Sequence, residues 1–214
     1  LVLLNDILDI SSLEAGKVRL DMIDSDLYKI VEISCRSMEM FAKNRKLQFS
    51  WTIDPGLPRF IKAAPERLRQ VLINLISNAI KFTPDGGISV DVSIWQGENY
   101  HIRPDHDQYI EFAVTDTGIG IPESKIEKIF DSFTQADEST FRKYGGTGLG
   151  LTISKNLITI MNGDIRVESI LGKGSTFSFI IPLVAGKQPV EDTDYLAPEK
   201  TTGSARILIA EDNI

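Results

Sequence analysis

Four glycines within six residues, Gly145, Gly146, Gly148 and Gly150, stand directly before the apolar run from Leu149 to Met161. Neither a helix nor a strand persists through such a stretch, because glycine carries the largest entropic cost of ordering. A loop that ends at a helix start is left. Glycine exposes its main-chain N–H and tolerates positive φ, and a helix start adds unpaired amides and the positive end of the dipole. The stretch from Lys143 to Thr152 therefore reads as a cradle for phosphate. It lacks the G-x-x-x-x-G-K-[ST] spacing of a P-loop, and it follows a loop rather than the strand of a dinucleotide fold.

The net charge of −7 disfavours nucleic acid as a partner, since a phosphate backbone calls for dense Lys and Arg. A bound polyphosphate must then be held by local groups together with a cation. Cys35 is the only cysteine, so no internal disulfide forms, and a reducing, cytoplasmic setting is expected. No run is long enough to span a membrane and no signal peptide is visible. The chain starts inside a helical pattern and stops just after a strand, as a fragment of a longer protein would, and the expectation leaves room for a membrane anchor in that parent.

Along the chain, Leu1, Leu4 and Leu8 form a helical seam that ends near Gly16. Residues 17–23 alternate as a strand with Val18, Leu20 and Met22 on one side. Ser25 or Asp26 caps a helix to about Lys43, with Leu27, Ile30, Val31, Ser34, Met38 and Phe41 inward. A strand covers residues 47–53, and Asp54-Pro55-Gly56 turns the chain. Pro65 opens a helix to about Phe82. Residues 88–95 and 109–115 alternate as strands around a long polar hairpin loop, 96–108. Pro122 opens a short helix. A loop of no clear period covers 131–146. The helix from Leu149 ends at Asn162-Gly163, and residues 165–168 and 176–182 make a last hairpin. Residues 184–204 have linker composition. The order of elements predicts an α+β fold, a two-layer α/β sandwich with helices on one face of the sheet.

Three further segments suit the cradle. Asn74 and Asn78 stand at i and i+4 on the 65–82 helix, and Lys81 shares their face. Asparagine is a poor helix former. A carboxamide oxygen is a neutral ligand that suits Mg²⁺ when phosphate and water supply the other oxygens, and Lys81 could meet a phosphate. Asp116 ends a buried strand before Gly118, Ile119, Gly120 and Ile121. A fixed carboxylate there can accept from the exocyclic amine of a base, with Gly118 and Gly120 letting the main chain approach a flat ring. Phe130 and Phe133 could cover that ring, with Arg142 and Lys143 reaching phosphates. Each segment also has a plain reading: surface asparagines, an Asp-Gly turn, core aromatics, a solvated basic pair.

Their order is the informative part. The segments resemble the N, G1, F and G2 boxes of the ATP-binding domain of sensor histidine kinases, within the GHKL ATPases that include gyrase B, MutL and the ninety-kilodalton heat-shock chaperones. The resemblance covers about residues 17–183. It implies the GHKL (Bergerat) fold, with a mixed five-stranded sheet, and ATP and Mg²⁺ as ligands. It implies that Asn78 coordinates Mg²⁺, supported by Asn74, and that Asp116 binds the adenine amine in a pocket shaped by Gly118, Gly120 and Ile121. Lys81, with the basic lid pair Arg142 and Lys143, would offset charge during phosphoryl transfer. Gly146, Thr147, Gly148, Leu149 and Gly150 would line the phosphates below a lid, and Thr176 would lie near adenine through water.

The ends extend the likeness. Residues 1–16 resemble the end of the second helix of a dimerisation bundle, 17–183 the catalytic domain, 184–204 a linker, and 205–214 the first strand of a receiver domain with Glu211 and Asp212 as its acidic pair. The implied partners are the chain's own bundle and receiver, a second copy of the parent protein, and a downstream phosphotransfer or response-regulator protein. No nucleic acid and no membrane contact is expected for this fragment. The phosphoacceptor histidine would lie upstream, since His101 and His106 sit in the 96–108 loop. Ala64 replaces a common acidic residue and should loosen the helix cap. Two other readings stay open: a GHKL ATPase of another branch, disfavoured because the helix offers no Glu beyond Glu66, and a nucleotide-binding regulatory module without kinase activity.

Overall fold

The computed structural model describes residues 11, 20–97, 106, 108–131 and 148–189. The helical seam at the start, the strand begun at Lys17, the receiver strand, Phe133, Arg142, Lys143, Gly146 and Thr147 lie outside these residues.

Seven strands and four helices follow in the order β1 (Ile23–Asp26), α1 (Leu27–Asn44), β2 (Gln48–Ile53), β3 (Phe60–Ala63), α2 (Pro65–Phe82), β4 (Gly87–Ile94), β5 (Tyr109–Asp116), α3 (Glu123–Ile126), α4 (Gly150–Ile160), β6 (Asp164–Ile170) and β7 (Gly174–Pro182) among the described residues. The main sheet has the order β2-β4-β5-β7-β6, and β1 pairs with β3 separately. The β2–β4 pair is parallel and the other three pairs are antiparallel, so the sheet is mixed. The two-layer α+β expectation holds.

Alternation along the strands builds the core. Ile88, Val90 and Val92 of β4 and Ile110, Phe112 and Val114 of β5 turn to the helices. Phe112 stacks on Phe179 of β7 at 4.7 Å between ring centroids. Against this face α2 lays Leu68, Val71, Leu72, Leu75 and Ile76, all at most 1 % exposed. Fully burying each such side chain is worth about 1.5–3 kcal/mol, so the stripe on α2 dominates the helix's docking. The opposite sheet face is largely polar beside a small buried cluster of Tyr109 and Ile180 with Trp95. There Thr52 donates to Asp91 at 2.6 Å, and Arg166 lies 3.3 Å from Glu111.

Local chemistry sets the helix ends. The Asp26 carboxylate accepts from the Lys29 N–H at 3.1 Å and caps α1. Ala64, before α2, gives no side-chain cap, and Pro65 occupies the first turn. Asn162, at φ 58°, closes α4 in the left-handed region.

Four expectations change. Among the described residues the first strand is Ile23–Asp26, and residues 20–22 before it are not strand, with Met22 exposed. Phe41 points outward and is 60 % exposed, while Ala42 takes the inward place. A seven-residue spacing drifts by about 20° per heptad, so the step from Leu27 through Ser34 does not keep Phe41 inside. Strand β3, which the sequence reading passed over, lies between Leu57 and α2. Finally, the stretch assigned to a linker from residue 184 begins as an ordered segment: Ala185 bridges Ile61 in antiparallel fashion.

Candidate functional site

Helix α2 is the spine of the site. Its polar face carries Asn74, Asn78 and Lys81 between the buried residues that fix it to the sheet. The Asn74 side-chain amide donates to the buried Ser154 hydroxyl of α4 at 2.8 Å. A Cβ on Gly150 would run into the Asn74 carboxamide oxygen. The first turn of α4 therefore sits directly on Asn74, and any side chain at position 150 would push the carboxamide aside. Gly148, at φ 71°, leads into that turn, and Leu149 beside it is 1 % exposed. One turn further along α2, Asn78 is half-buried and its carboxamide has no hydrogen-bond partner among the described residues.

The other end of α2 meets the turn after β5. A Cβ on Gly118 would strike the Phe82 carbonyl oxygen, which also accepts from the Ile119 N–H at 3.2 Å. Gly120, at φ 67°, lies against the Ile170 carbonyl of β6, so an added Cβ has no room. The Ile121 N–H donates to Ser169 Oγ at 2.8 Å. Gly174, at φ 115°, presses on the Asp116 carbonyl oxygen at the start of β7. Thus the 116–121 turn is clamped between α2 and the β6–β7 hairpin.

Asp116 lies at the centre of this clamp and is 6 % exposed. Burial pushes its carboxyl above the usual carboxylate value, while hydrogen bonds from the Gly118 and Ser175 amides pull it down. The Gly118 N–H···Oδ1 distance is 2.8 Å. A desolvated carboxylate with one face held by main-chain amides is a directional acceptor for an N–H donor. Thr176 Oγ1 and Thr115 Oγ1 share a hydrogen bond at 3.0 Å. Lys81 has its ammonium 4.8 Å from the Phe82 ring centroid, and burial lowers its pKa.

Sequence reasoning missed Ser154, Ser169, Ser175, Gly174 and the Phe82 carbonyl. Only Gly174 carried a signal, as the second glycine of a Gly-Lys-Gly turn. Phe130 meets Phe177 edge-on at 6.5 Å, and its carbonyl accepts from Thr152 at 2.9 Å. That aromatic braces α4 from the sheet side. His106 stacks edge-on against Tyr109 at 6.1 Å and belongs to no helix; His101 lies outside the described residues. A separate cleft of about 440 Å³ opens beside Asp54, Ser93, Trp95, Glu111 and Arg166, and contains none of the expected site residues.

Residues 63–185, more than half of the chain, match the family described as histidine kinase-, DNA gyrase B-, and HSP90-like ATPase, and the chain belongs to it. Hybrid signal transduction histidine kinase A of Dictyostelium discoideum is 41 % identical over 204 residues, covering 92 % of this chain and 9 % of its own length. The autoinducer 2 sensor kinase/phosphatase LuxQ of Vibrio vulnificus (strain YJ016) is 40 % identical over 215 residues, covering 100 % of this chain and 24 % of its own. The crystal structure of full-length ShkA in complex with AMPPNP superposes with a TM-score of 0.73 at 31 % identity, over 88 % of this chain and 37 % of that one. Within the family, then, the chain is an ATP-binding domain of the sensor histidine kinase kind, and it spans under a quarter of the length of these curated relatives. No helix among the described residues is long and apolar enough to cross a membrane.

Proposed function

We propose that this chain is the ATP-binding kinase domain of a hybrid sensor histidine kinase, which passes the γ-phosphate of ATP to a histidine upstream and onward to a receiver aspartate. The observation that carries the reading is the convergence on α2. Gly150 closes on Asn74, Gly118 closes on Phe82, and Gly174 closes on Asp116. These three close approaches draw the turn with Asp116, the polar face of α2 and the start of α4 together, which supports the reading.

In this reading Asp116 accepts the adenine amine, and Gly118, Gly120 and Ile121 shape the slot for the ring. The buried carboxylate makes the contact selective: a base without the amine would leave it desolvated and unpaired, at about 1–3 kcal/mol or more. Thr176 reaches the adenine side through water. Gly148, Leu149 and Gly150, with Gly146 and Thr147 before them, offer main-chain N–H groups to the phosphates at the start of α4. Lys81, Arg142 and Lys143 add positive charge, and Phe133 belongs to the lid.

The described residues suit Mg²⁺. No group of three or more His, Cys, Asp and Glu gathers among them, so a cation here would depend on phosphate oxygens, with the Asn78 carboxamide as a neutral oxygen ligand. When bound, Mg²⁺ neutralises phosphate charge. Asn74, held by Ser154, fixes the first turn of α4 and so the height of the glycine amides above α2. Catalysis on this scaffold is positioning and electrostatics: Asp116 orients the base, the amides and lysine hold the phosphates, and the incoming histidine attacks in line. The parent protein would act as a homodimer in contact with its own bundle, its receiver and a response regulator, from the cytoplasmic side.

Calorimetric titration with a non-hydrolysable ATP analogue tests the reading. Binding with Kd between micromolar and millimolar, about −4 to −8 kcal/mol, is expected with Mg²⁺ present. Asn78→Ala should weaken the Mg²⁺ dependence. An unchanged titration removes Asn78 from the site. Supplying the upstream helix should restore phosphohistidine formation, which this chain alone should not show; acid-labile phosphate on His101 or His106 contradicts that.

A further inference from the structure

The domain is entered and left through one small ribbon. β1 pairs with β3 from Ile23↔Ala63 to Asp26↔Phe60. On the other edge of β3, Lys62 N–H donates to the Val184 carbonyl and Gly186 N–H to the Phe60 carbonyl, each at 2.9 Å, around the Ile61↔Ala185 bridge. Residues 184–187 thus form a strap that makes β3 the middle of three strands. Position 186 requires a small residue, because a Cβ would stand 2.7 Å from the Ile61 carbonyl carbon and 3.0 Å from Asp24 Oδ1.

Asp24 of β1 closes the ribbon. Its Oδ1 accepts from the Lys187 N–H at 3.1 Å and lies 3.3 Å from Lys62 Nζ. One carboxylate therefore ties the entering strand, the middle strand and the leaving segment. Both outer strands run antiparallel to β3, hence parallel to one another. Entry and exit lie at opposite ends of a ribbon on the order of 13 Å long, four residues at about 3.3 Å each. The strap buries little apolar surface: Val184 is half-buried, and Ala185, Lys187, Gln188 and Pro189 are exposed. It is held by a few main-chain bonds and Asp24, and such elements open at far lower cost than the core.

We propose that this ribbon is a mechanical link with Asp24 as its latch, fixing the direction in which the chain beyond residue 189 leaves relative to the segment that enters at Ile23. Resting on the kinase reading, the latch then sets how the receiver stands toward the phosphoacceptor helix, and opening it changes phosphotransfer without touching the nucleotide site.

The test uses the chain spin-labelled at Met22→Cys and Pro189→Cys. Cys35 is buried, and burial pushes its thiol up to about 12, so it stays unlabelled in the folded protein. The wild-type pair should show one narrow distance population. Asp24→Ala should broaden it and speed amide exchange at Lys187 at least tenfold, with nucleotide affinity unchanged within twofold. Asp24→Asn keeps an acceptor for Lys187, loses the charge and should fall between; it covers the case in which Asp24→Ala misfolds. In the parent kinase, Asp24→Ala should alter transfer to the downstream aspartate at least fivefold and leave histidine phosphorylation within twofold. An unaltered distance distribution overturns the latch, as does a broadened one with unchanged phosphotransfer. A parent that never forms phosphohistidine sinks the kinase reading instead, and the distance measurement still decides the ribbon.

Discussion

Asn74 and Asn78 lie one turn apart on the same face of α2, yet the structure uses them differently. Asn74 is committed: its amide meets Ser154, and its oxygen lies where a Cβ of Gly150 would be. Asn78 has no side-chain hydrogen bond among the described residues. The first turn holds two helices together, while the second, on the proposed reading, meets the cation. Identical residue types at helical spacing thus differ in their contacts, and position relative to α4 makes the difference.

The contrast can be broken or sharpened by substitution. The largest effect is expected at the clamp, in Gly174→Ala. A side chain at φ 115° pressed on the Asp116 carbonyl combines backbone strain with overpacking, for a loss of about 3 kcal/mol in urea unfolding. Asn74→Ala comes next. It leaves the buried Ser154 hydroxyl unpaired and should cost about 1–3 kcal/mol, with nucleotide affinity falling only as α4 loosens. Asn78→Ala should instead leave unfolding within about 0.5 kcal/mol of wild type or slightly improve it, since alanine is the better helix former, and still weaken Mg²⁺-dependent binding. Equal stability losses for the two asparagines would erase the distinction.

Asp116→Asn gives a smaller stability effect of opposite sign. Burial raises the folded-state pKa of Asp116. The folded protein therefore holds that proton more tightly than the unfolded chain. The favourable contribution is complete below the ordinary carboxylate value and is lost as pH rises through the folded pKa. The asparagine variant lacks this loss, so its midpoint should hold or rise at neutral pH while adenine recognition disappears. By the same linkage, wild-type nucleotide binding should fall on acidification at a higher pH than for an exposed aspartate. The smallest effect belongs to Asp24. There the Lys187 N–H lowers the carboxyl pKa, burial opposes it in part, and Lys62 adds to the lowering. That contribution is present above the unfolded value and vanishes as pH drops through the folded one, which amide exchange at Lys187 would report.

Much of this was legible in the sequence because side-chain periodicity survives in one dimension. The stripe Leu68, Val71, Leu72, Leu75 and Ile76 gives α2, and the alternation of β4 and β5 gives two central strands. The glycine positions and the order of the four segments pointed to the site. What was not legible depends on partners distant in sequence. Ser154 lies 80 positions from Asn74, and nothing local marks the pairing. β3 and the strap are held mainly by main-chain hydrogen bonds, which leave almost no residue pattern over four positions. Phe41 looked inward because a seven-residue spacing resembles the helix period without matching it.

The most direct measurement is a crystal structure of this chain with Mg²⁺ and a non-hydrolysable ATP analogue. It should place the exocyclic amine of adenine within about 3 Å of the Asp116 carboxylate, the phosphates at the Gly148–Gly150 amides, and the cation on Asn78 with Asn74 still bonded to Ser154. Nucleotide lodged in the cleft beside Trp95 and Arg166, or a cation bound without Asn78, would contradict the account.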